Sequence, residues 1–210
     1  MKASCCVLFA CAFACAPLVY AQRAGVIDDP AGTVDVRAEK NADAAVIAAV
    51  KTGEPFTFEC KTGADWCKVA LASGKSGWMH LSSIRLHFTE KDLPSREKDP
   101  AGESEIDQFA SGRGLNYAAV TRRASRGDGK ALKQFFSLAQ SADGAAAESI
   151  LGVPTVVYHI LGDEKFAKFL LAQPVPYRMM VRNRILSDGL IPPVSLYLSR
   201  HFPLTAKALF

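Results

Sequence analysis

Several things are scarce in this 210-residue chain, and each shortage excludes a class of protein. Charge of one sign is missing: 25 Lys and Arg face 21 Asp and Glu, a net of +4. A dedicated nucleic-acid binder carries a far more basic footprint, so no nucleic-acid partner is expected. Histidine is sparse. His80, His87, His159 and His201 stand apart, none in an HExxH pattern and none beside a cysteine, so neither a metal site nor a cofactor is expected. No serine has the context of a nucleophile elbow. Gly74-Lys75-Ser76 imitates the end of a phosphate loop, but Val69 stands where the first glycine belongs, and the tripeptide reads as a β-turn. With no cluster of catalytic groups, the chain is expected not to be an enzyme. Beyond the N-terminus no apolar run is expected to reach the length of a membrane-spanning helix.

Cysteine is unevenly spent. Of six, Cys5, Cys6, Cys11 and Cys15 lie at the start, within a short apolar core from Cys5 to Ala16 that follows Lys2 and precedes Val19-Tyr20-Ala21. A basic start, a short apolar core and a small-x-small site describe a secretory signal peptide over residues 1–21, with the mature chain starting at Gln22 and secreted or periplasmic. A lipoprotein signal ending at Cys11 is the weaker competitor, because bulky Phe9 precedes Ala10. Cleavage leaves Cys60 and Cys67. An even pair in an exported chain reads as a disulfide, with two reduced thiols as the alternative.

Residues 22–88 read as a small all-β barrel. Gly25-Val26-Ile27 is expected as an edge strand. Val34 to Arg37, Val46 to Val50, Phe56 to Cys60, Trp66 to Leu71 and Gly77 to His80 follow as short β-rich runs between tight turns. Four pieces of this stretch resemble the bacterial SH3 domain. Val34-Asp35-Val36-Arg37 is similar to the family's opening Val/Leu-Asn-Val-Arg, and Val50-Lys51-Thr52-Gly53-Glu54 to the turn before its central strand. Trp66-Cys67-Lys68-Val69 is similar to its Trp-x-Lys-Val strand, and Gly77-Trp78-Met79 to its closing Gly-Trp/Tyr-Val. They come in the family's order between Gly32 and Leu86. After Arg37 the family places a Ser-Gly-Pro type of turn, where this chain has Ala38-Glu39-Lys40-Asn41-Ala42-Asp43. The resemblance implies a binding module of exported and cell-envelope proteins, taking extended peptides or peptidoglycan stem peptides.

Residues 89–103 are polar and charged, with Pro94, Pro100 and Gly102, and are expected to form a linker that buries no core. Residues 104–210 switch to helical patterning, so the whole is an all-β plus all-α chain, a barrel followed by a bundle of helical hairpins. Gly127 closes a helix through Tyr117 to Ala124. Asp128 is expected to cap a helix carrying Leu132, Phe135 and Phe136, Asp143 the next, and Asp163 the one through Phe166 to Leu171. Pro154 starts or kinks another, Pro176 opens one running to Gly189, and Val194 to His201 forms a last short one. The likeness of Gly127-Asp128 to Gly162-Asp163, 35 residues apart, suggests either a helical repeat or one helix-start solution used twice.

Candidate ligand-binding residues are Trp66 and Trp78, with Met79 and His80 beside them, because rings and an indole donor suit an extended peptide. Trp66, at a turn edge, is the better surface candidate, whereas Trp78 reads more readily as core, since aromatic strand residues in small barrels mostly fill the interior. Arg122, Arg123, Arg126, Lys130 and Lys133, and later Arg178, Arg182 and Arg184, form basic runs that read as solvated helix faces or as contacts for an anionic partner such as wall polymer or lipid headgroups. The expected function is recognition of wall peptides by the barrel, with the helical part a scaffold. A helical domain that regulates a cell-wall enzyme is the alternative, and an enzyme with a site at the domain junction is a third.

Overall fold

The computed structural model describes residues 22–61, 63–94, 104–188 and 193–210. The expected signal peptide, most of the linker (95–103) and the chain break at Gly189 to Pro192 lie outside them.

Seven antiparallel strands form one sheet: β1 (Arg23–Val26), β2 (Thr33–Arg37), β3 (Val46–Lys51), β4 (Phe56–Glu59), β5 (Trp66–Leu71), β6 (Ser76–His80) and β7 (Arg85–Leu86). Their order is β3-β2-β6-β5-β4-β1-β7. Strand residues alternate between faces, so each strand sends every second side chain inward. Val36, Val50, Phe56, Phe58, Cys67, Val69 and Met79 meet there in one core, closed by Ile27, Ile84 and Leu86. The expected edge strand is not an edge: β1 pairs with β4 on one side and β7 on the other. It lies close over the core rings, since a Cβ on Gly25 would stand 2.9 Å from Phe58. Gly77 is just as constrained, because a Cβ there would meet the Arg37 carbonyl oxygen at 2.6 Å. Gly74, at φ +81°, turns the β5–β6 hairpin, so the Gly-Lys-Ser stretch is a turn. The Cys60–Cys67 disulfide ties β4's end to β5 across 4.5 Å between Cα atoms.

Helices follow: α1 (Glu105–Ser111), α2 (Tyr117–Ser125), α3 (Gly129–Ser141), α4 (Gly144–Ser149), α5 (Val153–Leu161), α6 (Asp163–Leu171), α7 (Val175–Ser187), α8 (Val194–His201) and α9 (Pro203–Leu209). Phe135, Phe136, Tyr158, Phe166, Leu170 and Phe202 are the large side chains at the centre of their shared core. Asp128 caps α3 as expected, accepting from the Lys130 and Ala131 amides. Asp143 makes no such bond to α4. Asp163 does not cap its own helix either. It accepts from the Leu204 and Thr205 amides at 2.9 and 2.7 Å and so holds the start of α9. The two Gly-Asp sequences therefore do different jobs, and the likeness is not carried into structure. By length and composition Gly144–Leu161 would suffice to cross a membrane, contrary to the expectation that no later run does. It is, however, broken between α4 and α5 at Gly152 (φ +79°), and half of it is buried in the fold.

The sheet and the helices touch. Phe88 packs against both cores, its ring edge-on to His159 at 5.1 Å. The stretch expected to be linker begins inside the packed structure: Leu93 is 4% exposed within the helical core, and Glu90 pairs with Arg126 at 2.8 Å.

Candidate functional site: the outer face of the sheet

Alternation decides where the candidate residues go. On β5, Cys67 and Val69 point inward, so Trp66, Lys68 and Ala70 point outward; on β6, Gly77 and Met79 point inward, so Trp78 and His80 point outward. Met79 is fully buried, and its proposed ligand contact is corrected: it belongs to the core. Trp78 is half-buried on the outer face and is not a core residue, and Trp66 is half-buried on the same face. The register sets Trp66 opposite His80 and Lys68 opposite Trp78, so the two indoles are diagonal neighbours on adjacent strands.

The pairing extends on both sides of Trp78. Glu59 opposes Lys68, Lys68 opposes Trp78, Trp78 opposes Arg37, and Arg37 opposes Val46. One transverse row across five strands thus reads Glu59, Lys68, Trp78, Arg37, Val46. Arg37 is held in place by Asp35 at 2.9 Å and by the Ala44 carbonyl at 3.0 Å. Its aspartate partner is the residue that replaces the family's usual asparagine. Lys40 arches over from the following loop, its Nζ 4.3 Å from the Trp78 ring centroid. Such a contact stabilises by about 0.5–1 kcal/mol at an exposed site. His80 presents its ring edge-on to Trp66 at 5.4 Å, while its Nδ1 lies 2.6 Å from the Ser82 hydroxyl. The face is therefore aromatic and of mixed charge: two indoles and an imidazole among Lys40, Lys68 and Arg37, with Glu59 opposite Lys68 and Asp35 paired to Arg37.

Sequence patterning identified the two indoles and the imidazole but not Lys40, Lys68 or Arg37 as their company. The signals were present. Period-two alternation puts Lys68 beside Trp66 on one face, and the loop that departs from the family's turn is the loop that supplies Lys40.

A second polar group is buried at the junction of sheet and helices. The Leu86 amide donates to the Tyr197 hydroxyl at 3.0 Å, and that hydroxyl lies 2.7 Å from His159 Nε2. His159 Nδ1 lies 2.7 Å from the Thr155 carbonyl, and so carries the ring proton, leaving Nε2 to accept from Tyr197. Burial drives the His159 pKa down to about 3, and that of His201 nearby to about 4. The Thr155 amide and hydroxyl both donate to Asp188, whose carboxyl is pushed up by burial. Both ring nitrogens of His159 are thus occupied, and the ring is neutral. Sequence reading named His159 and His201 as lone histidines but not their partners Tyr197, Leu86 and Asp188, since the contacts that join them link residues more than thirty apart.

Residues 32–84 match the family model described as Bacterial SH3 domain. This segment is a bacterial SH3 domain, a module that is typically a cell-wall binding unit, while the helical region has no assignment. Strands β1 and β7 lie outside the matched residues, so the sheet extends beyond the family's segment at both ends. No curated protein and no solved structure matches the chain.

Proposed function

We propose that this is an exported, non-enzymatic recognition protein whose sheet binds an extended, carboxylate-bearing peptide of the cell-wall stem-peptide kind across Trp78 and Trp66. The observation that carries the reading is the transverse row in which Trp78 stands between Lys68 and Arg37 under Lys40. An extended peptide lying on the rings gains contact area, and its free carboxylates meet Lys40 and Lys68 beside Trp78, Arg37 being already paired with Asp35. The Cys60–Cys67 disulfide supports export, since such bonds persist in oxidising compartments. The occupied, neutral His159 supports a structural role for the junction rather than a catalytic one.

Affinity is modest, because one sheet face buries little area and a flexible ligand loses entropy on it. The test is titration of the protein with muropeptides, followed by tryptophan fluorescence, since both tryptophans of the chain lie on this face. Trp78→Ala should weaken binding at least tenfold and Lys40→Gln by a smaller factor, both with an unchanged fold by circular dichroism. Wild-type protein that ignores muropeptides, or a Trp78→Ala variant that binds them as well as wild type, defeats the proposal.

A further inference from the structure

We propose that the outer face of α7 and α9 is a docking surface for an anionic lipid bilayer. Helix α7 turns Tyr177, Val181 and Ile185 to the core, yet its opposite side is apolar as well. Val175 and Met179, one turn apart, are 55% and 51% exposed. On α9 and just after it, Leu204 and Phe210 are 50% and 57% exposed. The two helices form one surface, because Arg178 Nη1 donates to the Ala208 carbonyl at 3.2 Å and the Arg182 guanidinium lies 4.8 Å over the Phe210 ring.

The charged side chains of the two helices are all basic, and the one carboxylate the contacts place at the start of α9, that of Asp163, is taken up by the Leu204 and Thr205 amides. Neither α7 nor α9 contains an acidic residue. Arg178, Arg182 and Lys207 have no ion-pair partner among the described residues. Apolar side chains flanked by unneutralised cations match the two layers of a membrane surface, acyl chains below and anionic headgroups above. A second copy of the chain fits badly, since a two-fold interface would set these cations against their own counterparts. The surface lies on helices apart from the sheet face proposed to bind peptide and does not depend on that function.

Sedimentation with vesicles tests it, using the protein from Gln22 onward so that the apolar N-terminus contributes nothing. The protein should partition onto phosphatidylglycerol–phosphatidylcholine vesicles, hardly onto phosphatidylcholine alone, and less as salt is raised. Lys207→Gln should lower the partition coefficient about fivefold, the effect of one cation near such a surface. Val175→Ser with Met179→Ser should lower it on the order of tenfold, with an unchanged thermal melt. The proposal is overturned by no partition onto anionic vesicles, by equal partition onto neutral ones, or by a double serine variant that binds like wild type. It is overturned equally by a dimer in light scattering that the double variant abolishes, which would assign the face to a second copy.

Discussion

Trp78 and Met79 are adjacent in sequence and opposite in environment, and the contrast gives a direct test of strand direction. Met79 fills the sheet's core beside Cys67 and Val69, so Met79→Ala leaves a cavity and should cost about 2–5 kcal/mol. Trp78→Ala removes a half-buried ring from the outer face and should cost about 1 kcal/mol or less, including its contact with Lys40. Denaturant melts of the two variants decide the matter, and a Trp78→Ala loss equal to that of Met79→Ala would place the indole inside. From the sequence alone Trp78 reads more readily as core, because aromatic strand residues in small barrels mostly face inward, and the structure corrects that reading. What fixes its side is Gly77: its Cβ position is filled by the Arg37 carbonyl and by Val36, so residue 77 faces inward and residue 78 outward.

At the scale of elements, Asp163 is the informative case. Its carboxylate satisfies two amides at the start of α9, so Asp163→Ala should destabilise the protein by about 1 kcal/mol, within the range for a lost helix cap. Asp163→Asn should restore much of that. Thermal melts giving no loss for the alanine variant would mean that Phe202 and Pro203 start α9 unaided. The five central strands, α3 and its Asp128 cap were legible from alternation, helical spacing and a cap within three residues. Those signals are local. The partners of β1, the role of Asp163 and the existence of α9 were not legible, because each is set by a contact with a distant segment. The face itself was half legible: the indoles stand out by residue type, whereas Lys40, Lys68 and Arg37 look like ordinary surface charge until the register lines them up.

At the scale of the whole molecule, the junction makes stability depend on pH. Unfolded, the His159 ring titrates near 6.5, and folded it is held down at about 3 by burial. Between those values the unfolded chain takes up a proton that the folded chain refuses. The contribution of His159 is therefore complete above about pH 6.5 and is lost as pH falls toward 3, by about 1.4 kcal/mol for each pH unit. His201, lowered to about 4, adds a slope of the same sign. Urea melts between pH 7 and 4 should show the decline, and His159→Gln should flatten it by the share due to His159. An equal slope in the variant would show that other groups dominate.

The bond from Leu86 to Tyr197 joins residues 111 apart, which bears on the order in which the chain acquires its shape. Hairpins such as β5–β6 close over a few residues and cost little loop entropy, so they form early. The last strand, by contrast, has its Leu86 amide satisfied only once α8 has packed against it. Until then Phe88 has only one of its two cores to rest on, and the Leu86 amide finds water instead of a phenol. Assembly thus runs from a sheet with an unfinished margin to a complete one, and the event that finishes it is the arrival of the C-terminal helices.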